Sequence, residues 1–182
     1  MLRELLAHPL VSEEMRLGGP VGVMAIHGGI EAGTAEMARE LVAATGASLY
    51  LVEQPGDLSW HLPSIHYDPA HSHRLSAFLG HVRTVVSLHG FGRVHLPRTV
   101  LVGGRNDALR TQVASGLRAG TGLRIVDDFE EIPRPLRGRH PANPVNIPVE
   151  AGVQLELSGT ARLLPHRGMV VAALTAAIIT AM

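Results

Sequence analysis

Apolar positions along the chain fall into two rhythms: short β-branched runs, and longer stretches with apolar residues three and four apart. The short runs predict strands at Val21–Ile26, Ser48–Val52, Thr84–Leu88, Thr99–Val102, Leu123–Val126 and Val153–Leu157. The longer stretches predict helices over Thr34–Thr45, His73–Val82, Asp107–Leu117 and Arg167–Ala181. In the first of these, Thr34 is the expected N-cap and Gly46 the stop. Met37, Leu41 and Ala44, with Ala38 and Val42, form its apolar stripe. Ile132 to Pro148 holds five of the chain's 12 prolines and little periodicity, so it is expected to be a long loop. Strand–helix alternation of this kind predicts an α/β fold, a single domain with an open, parallel or mixed sheet flanked by helices.

Composition narrows the functions such a fold can carry. The chain has 182 residues, which suits one domain. At 46% hydrophobic it can bury a sizeable core, and with 3% aromatics that core must be Leu, Val, Ile and Ala. The formal net charge is zero, which argues against a nucleic-acid or anionic-membrane partner. The apolar stretch Met169–Met182 falls short of the roughly 20 residues that span a bilayer, and reads as a buried core helix. The N-terminal ten residues lack a signal-peptide apolar run. A cytoplasmic location is the expectation. There is no Cys, so any transition metal must rest on His, Asp and Glu. There is also no Lys, so all 16 formal cationic side chains are arginines.

Functional residues in α/β sheets gather at the carboxyl ends of strands. His27 directly follows the first predicted strand, and Glu31 lies four residues on, across Gly28-Gly29. His89 ends the third. Glu156 interrupts the apolar run Val153–Leu157, and two-residue alternation places it with Gln154 on one face. Two imidazoles and a carboxylate form a normal set of protein ligands for a catalytic zinc ion, and a further carboxylate can act as general base and acid. Each residue also has an ordinary reading: a loop histidine bonded to backbone, a solvated glutamate before a helix, the exposed face of an edge strand. A Gly-rich turn after a strand suggests nucleotide binding too, but this one lacks the dinucleotide spacing and the P-loop Lys.

The ordered set of motifs is more specific. Ala25-Ile26-His27-Gly28-Gly29-Ile30-Glu31-Ala32-Gly33-Thr34, His61-Leu62-Pro63-Ser64-Ile65-His66-Tyr67-Asp68, Val86-Ser87-Leu88-His89-Gly90, Val102-Gly103-Gly104-Arg105 and Gly152-Val153-Gln154-Leu155-Glu156-Leu157-Ser158 follow one another along residues 20 to 165. This resembles the poly-γ-glutamate hydrolase family, zinc peptidases of phages and bacteria. The resemblance implies a zinc carboxypeptidase-like fold and hydrolysis of γ-glutamyl amide bonds. It implies His27, Glu31 and His89 as ligands of one zinc ion and Glu156 as the catalytic carboxylate. The spacing departs from the family's pattern in one place: His27 and Glu31 are one residue closer, a change that a Gly turn can absorb.

On this reading Arg105 or His66 would face the developing oxyanion. A polymer of free α-carboxylates would be recognised by arginine, with Arg105 the first choice and Arg162 the second. Asn143 and Asn146 would add to one wall of the cleft. His61 would stand behind the ligands, and His71, His73, His81 and His95 are surface positions. Two other readings stay open: an amidohydrolase of small acidic amides such as N-acyl amino acids or peptidoglycan stem peptides, and a non-catalytic metal-binding module. Oligomeric state is not legible in the sequence.

Overall fold

A computed structural model describes all 182 residues. Seven strands form one open mixed sheet: β1 (Ser12–Arg16), β2 (Gly19–Gly28), β3 (Ala47–Glu53), β4 (Thr84–Phe91), β5 (Thr99–Gly104), β6 (Arg124–Val126) and β7 (Gly152–Ser158). Five helices flank it: α1 (Leu2–Leu6), α2 (Thr34–Thr45), α3 (His73–His81), α4 (Asp107–Thr121) and α5 (His166–Ala181). The strand order is β1-β3-β2-β4-β7-β5-β6. β3, β2, β4 and β7 are parallel, whereas β1 runs antiparallel to β3 and β5 antiparallel to β7.

The expected strands and helices are all present, with ends moved by a few residues. Two elements were not expected, α1 and β1. β1 reads Ser-Glu-Glu-Met-Arg, an edge strand with no apolar alternation to announce it. Thr34 is not the cap of α2. Gly33 takes that place at φ +92°, and the Thr34 hydroxyl donates to the Glu31 carbonyl instead. Gly46 ends the helix in the left-handed conformation, as its position predicts.

Two apolar layers sandwich the sheet. On one face α2, α4 and α5 pack against Val23, Leu49, Val86, Leu88, Val153 and Leu155. On the other, α1 and α3 cover Met24, Ile26, Tyr50 and Val85. α5 buries Val170, Leu174, Ala177 and Ile178 but leaves Ile179 exposed, so it is an outer helix rather than a fully buried one. No helix is long and apolar enough to cross a membrane.

This topology positions the site. From β2 the chain moves outward through α2 to β3, then returns across β2 through α3 to β4. The carboxyl ends of β2 and β4 therefore flank a reversal of strand order, where open α/β sheets leave a crevice. Pairing between β2 and β4 ends at Met24–Ser87, yet β2 continues to Gly28 and β4 to Phe91. Beyond that point backbone separates, and His27 and His89 occupy the gap.

Candidate metal centre and cleft

The turn after β2 is built around glycine. Gly29 has φ +83°, and a Cβ there would collide with the Gln54 carbonyl oxygen. The Glu31 N–H donates to the His27 carbonyl at 2.9 Å, which closes the turn. The Glu31 carboxylate consequently folds back: Oε1 lies 2.9 Å from His27 Nδ1 and Oε2 3.5 Å from His89 Nδ1. The shortened His27–Glu31 spacing thus still brings the two side chains together. The Gly90 N–H donates to Glu31 Oε2 at 2.9 Å, a bond across the gap from β4.

Both imidazoles are buried, His27 at 2% and His89 at 3% exposure, with their Nδ1 atoms 3.2 Å apart. His27 Nε2–H donates to the Leu62 carbonyl at 2.8 Å, which leaves Nδ1 as the free lone pair. Such a carbonyl partner behind the ring is a usual support for a metal-binding histidine. One ligand atom each from His27, Glu31 and His89 lie within 4.8 Å of one another, and the group can hold a metal ion. Lone pairs converging in a buried space repel one another unless a cation or proton sits among them. Two imidazole nitrogens with a carboxylate oxygen suit a borderline divalent ion such as zinc.

Burial alone would raise the Glu31 pKa, but the ring nitrogens of His27, His61 and His89 gathered around the carboxylate hold it well below the usual range. Burial depresses His89, so its ring favours the neutral form that a metal requires. His61, half-exposed, stacks on the His27 ring at 4.3 Å between centroids and approaches Glu31 to 3.6 Å. The nearby Glu31 carboxylate raises the His61 pKa.

Glu156 stands beside this group. β7 is a central strand, not an edge, and pairs in parallel register with β4, so that His89 faces Glu156 and Ser87 faces Gln154. Their side chains leave the sheet on the face opposite α4 and α5. Glu156 is 5% exposed, and burial and the Glu31 charge push its pKa up to about 8, against the pull of Gln154, Arg162 and Arg93. A cleft of about 500 Å³ opens over these residues, with His27, Glu31, His89 and Glu156 on its floor.

Not every expected residue reaches this cleft. Arg105 lies at the other end of the sheet. β5 runs antiparallel to β7, so the Arg105 N–H bonds the Gly152 carbonyl, four residues and about 13 Å below Glu156. His66 forms part of a 3₁₀ turn whose Ser64 and Ile65 line the cleft while it does not. Arg162 is also outside the lining. Its Nε donates to the Leu157 carbonyl at 3.2 Å and its Nη1 to the Ala32 carbonyl, bracing the turn that carries Glu31. Asn146 donates to the carbonyls of Gly138 and His140, tying the Pro-rich loop to itself. Asn143 does reach the cleft, where its amide bonds Gln154.

The loop expected to wall the cleft does so, and brings basic side chains that the motifs did not include. Arg134, Arg139 and His140 line it. The Arg139 guanidinium lies over the Phe129 ring at 4.6 Å, with Arg110 also over that ring at 4.4 Å. The only sequence signal for Arg134 and Arg139 was their place in a Pro-rich loop without apolar periodicity.

Known proteins share this fold. The family model described as poly-gamma-glutamate hydrolase matches residues 4–169. A bacteriophage poly-gamma-glutamate hydrolase superposes with a TM-score of 0.81 and 26% identity, covering 94% of this chain and 89% of that one. A zinc-free structure of YndL gives a TM-score of 0.75 at 26% identity, covering 94% and 88%. The Bacillus subtilis protein YndL is 42% identical over 78 residues, a segment that spans 41% of this chain and 29% of that relative. A protein from Agrobacterium tumefaciens shares the fold alone, at 13% identity and a TM-score of 0.55.

Proposed function

The chain belongs to the poly-gamma-glutamate hydrolase family, and from that premise we propose that it is a zinc-dependent hydrolase of γ-glutamyl amide bonds in a polyanionic peptide. The observation that carries this reading is the placement of Glu156, a buried carboxyl, in register beside His89 of the His27–Glu31–His89 group.

His27 and His89 through Nδ1, with Glu31, would hold one zinc ion. Such an ion, when bound, supplies Lewis-acid polarisation of the scissile carbonyl and acidifies a water molecule. Glu156 accepts the proton of the attacking water and delivers it to the departing nitrogen. Its pKa of about 8 in the absence of metal suits an exchange in both directions near neutral pH. A neighbouring divalent cation would favour the ionised form and draw that value down.

His61, with its raised pKa and its place on the cleft wall, takes the role first considered for His66 and Arg105, a hydrogen-bond donor to the developing oxyanion. Arg134 and Arg139 supply the planar forks that suit free α-carboxylates. Arg162 contributes through its charge near Glu31 and Glu156 rather than through contact with substrate.

The experiment is a metal analysis of the purified protein paired with a poly-γ-glutamate digest. One zinc per chain and release of short γ-glutamyl oligomers are expected. His89→Ala should lose both metal and turnover. A metal-loaded protein that leaves the polymer intact but cleaves small N-acyl amino acids would replace this reading with the small-amide one.

A further inference from the structure

Glu156 is reached by a chain of side-chain amides that begins in the Pro-rich loop. The Val145 N–H donates to Asn143 Oδ1 at 3.3 Å. Asn143 Nδ2 donates to Gln154 Oε1 at 2.7 Å, and Gln154 Nε2 to Glu156 Oε1 at 2.8 Å. All three side chains are buried.

This chain has a fixed direction. A backbone N–H can only donate, so Val145 settles which end of the Asn143 amide is the acceptor. The other end must then donate, which orients Gln154, and Gln154 in turn must present N–H to Glu156. The loop closes tightly over the middle link. Gly138, at φ +63°, lies so close that a Cβ there would stand 2.7 Å from Gln154 Cβ and 2.8 Å from its Cδ. The turn holding Gly138 is tied down by Asn146. Gln154 therefore has little room to turn its amide over.

We propose that Asn143 and Gln154 are positioning residues for the hydrolytic step, which hold Glu156 Oε1 with an amide N–H and leave Oε2 to exchange the proton. The role rests on the reading of Glu156 as proton acceptor. It gives Asn143 a task other than substrate contact, acting across two hydrogen bonds on a carboxyl it does not touch. An N–H aimed at a carboxylate favours the ionised, proton-accepting form. It also removes one of the two oxygens from competition, so that one geometry of proton transfer is selected.

Asn143→Asp tests this, because it keeps the acceptor for Val145 and hence the turn, but removes the donor to Gln154. With zinc-loaded protein and poly-γ-glutamate, kcat should fall about tenfold or more and KM should change less than twofold. Zinc content should stay at the wild-type value. In a Gln154→Met background the Asn143→Asp change should have little further effect on kcat, since the relay is already cut. Asn143→Leu is the second variant, uncharged, with the same expectation.

A rise in KM with unchanged kcat would make Asn143 a substrate contact and overturn the relay. So would an Asn143→Asp effect that persists in full in the Gln154→Met background, since that is the signature of remote charge. Glu156→Gln separates this from the underlying reading: if that variant stays active, the proton-acceptor assignment fails; if it is inactive while Asn143→Asp is normal, only the relay fails.

Discussion

His89 and Glu156 face one another in register across the parallel pair β4 and β7. The imidazole and the carboxyl on which the proposed chemistry rests are thereby fixed by the sheet ladder, not by a loop. Their separation is set by the inter-strand spacing of about 4.8 Å.

Replacement of Glu156 by Gln should then leave the metal group intact. The amide is nearly isosteric, and its Oε1 can still accept from Gln154. Zinc content should remain at wild-type level while kcat falls by about 10²–10⁴-fold. Loss of zinc in this variant would show that Glu156 is part of the metal group.

The stability of the metal-free protein should depend on Glu156 in a defined pH window. Its folded pKa is raised from 4.5 to about 8, so folding favours the protonated form. The favourable contribution is complete below pH 4.5 and is lost as pH rises through 8. Glu156→Gln should have little effect on stability at pH 4 and should stabilise the chelator-treated protein by a few kcal/mol at pH 9, at ~1.4 kcal/mol per pKa unit. Parallel Tm–pH curves for the two proteins would refute this.

Gly29 is a second place where backbone and site are coupled. At φ +83°, with the Gln54 carbonyl against it, it has no room for a side chain. Gly29→Ala should destabilise the fold by about 1–3 kcal/mol. Because the turn carries Glu31, zinc affinity should fall as well. A destabilised protein with unchanged affinity would uncouple the turn from the metal group. Thermal melts with and without zinc measure both quantities.

Two arginines distinguish the cleft wall from the far end of the sheet. Arg139→Ala should raise KM for poly-γ-glutamate about fivefold, the ~1 kcal/mol of an exposed ion pair, with the effect shrinking at high salt. Arg105→Ala should leave KM within about twofold, since that residue lies at the opposite end of β7. The reverse result would place the substrate on the other side of the sheet.

The contrast between these arginines shows what local pattern carries. Strand positions were legible because buried β-branched runs such as Val100–Val102 differ from helical stretches wherever they occur. Strand direction was not, because β5 has the same alternation whether it runs parallel or antiparallel to β7. Arg105 was misplaced for that reason alone. The clustering of His27, Glu31 and His89 was legible since all three lie at or just past the carboxyl ends of the parallel strands β2 and β4. Arg134, Arg139 and His140 come from a segment with no period, and their approach to the floor depends on ties such as Asn146 to Gly138 that only the folded loop forms. β1 escaped notice because an edge strand of Glu, Met and Arg has no apolar face to display.

The strand order carries a consequence for how the molecule is made. β4 and β5 follow one another in the chain, yet β7 lies between them. During synthesis from the N-terminus, both strands emerge with open edges and wait some fifty residues for the strand that joins them. His27 and His89 are present well before that, on a half-built sheet whose exposed ladder invites pairing with other chains. Insertion of β7 between β4 and β5 covers both open edges and brings Glu156 beside His89 in the same event.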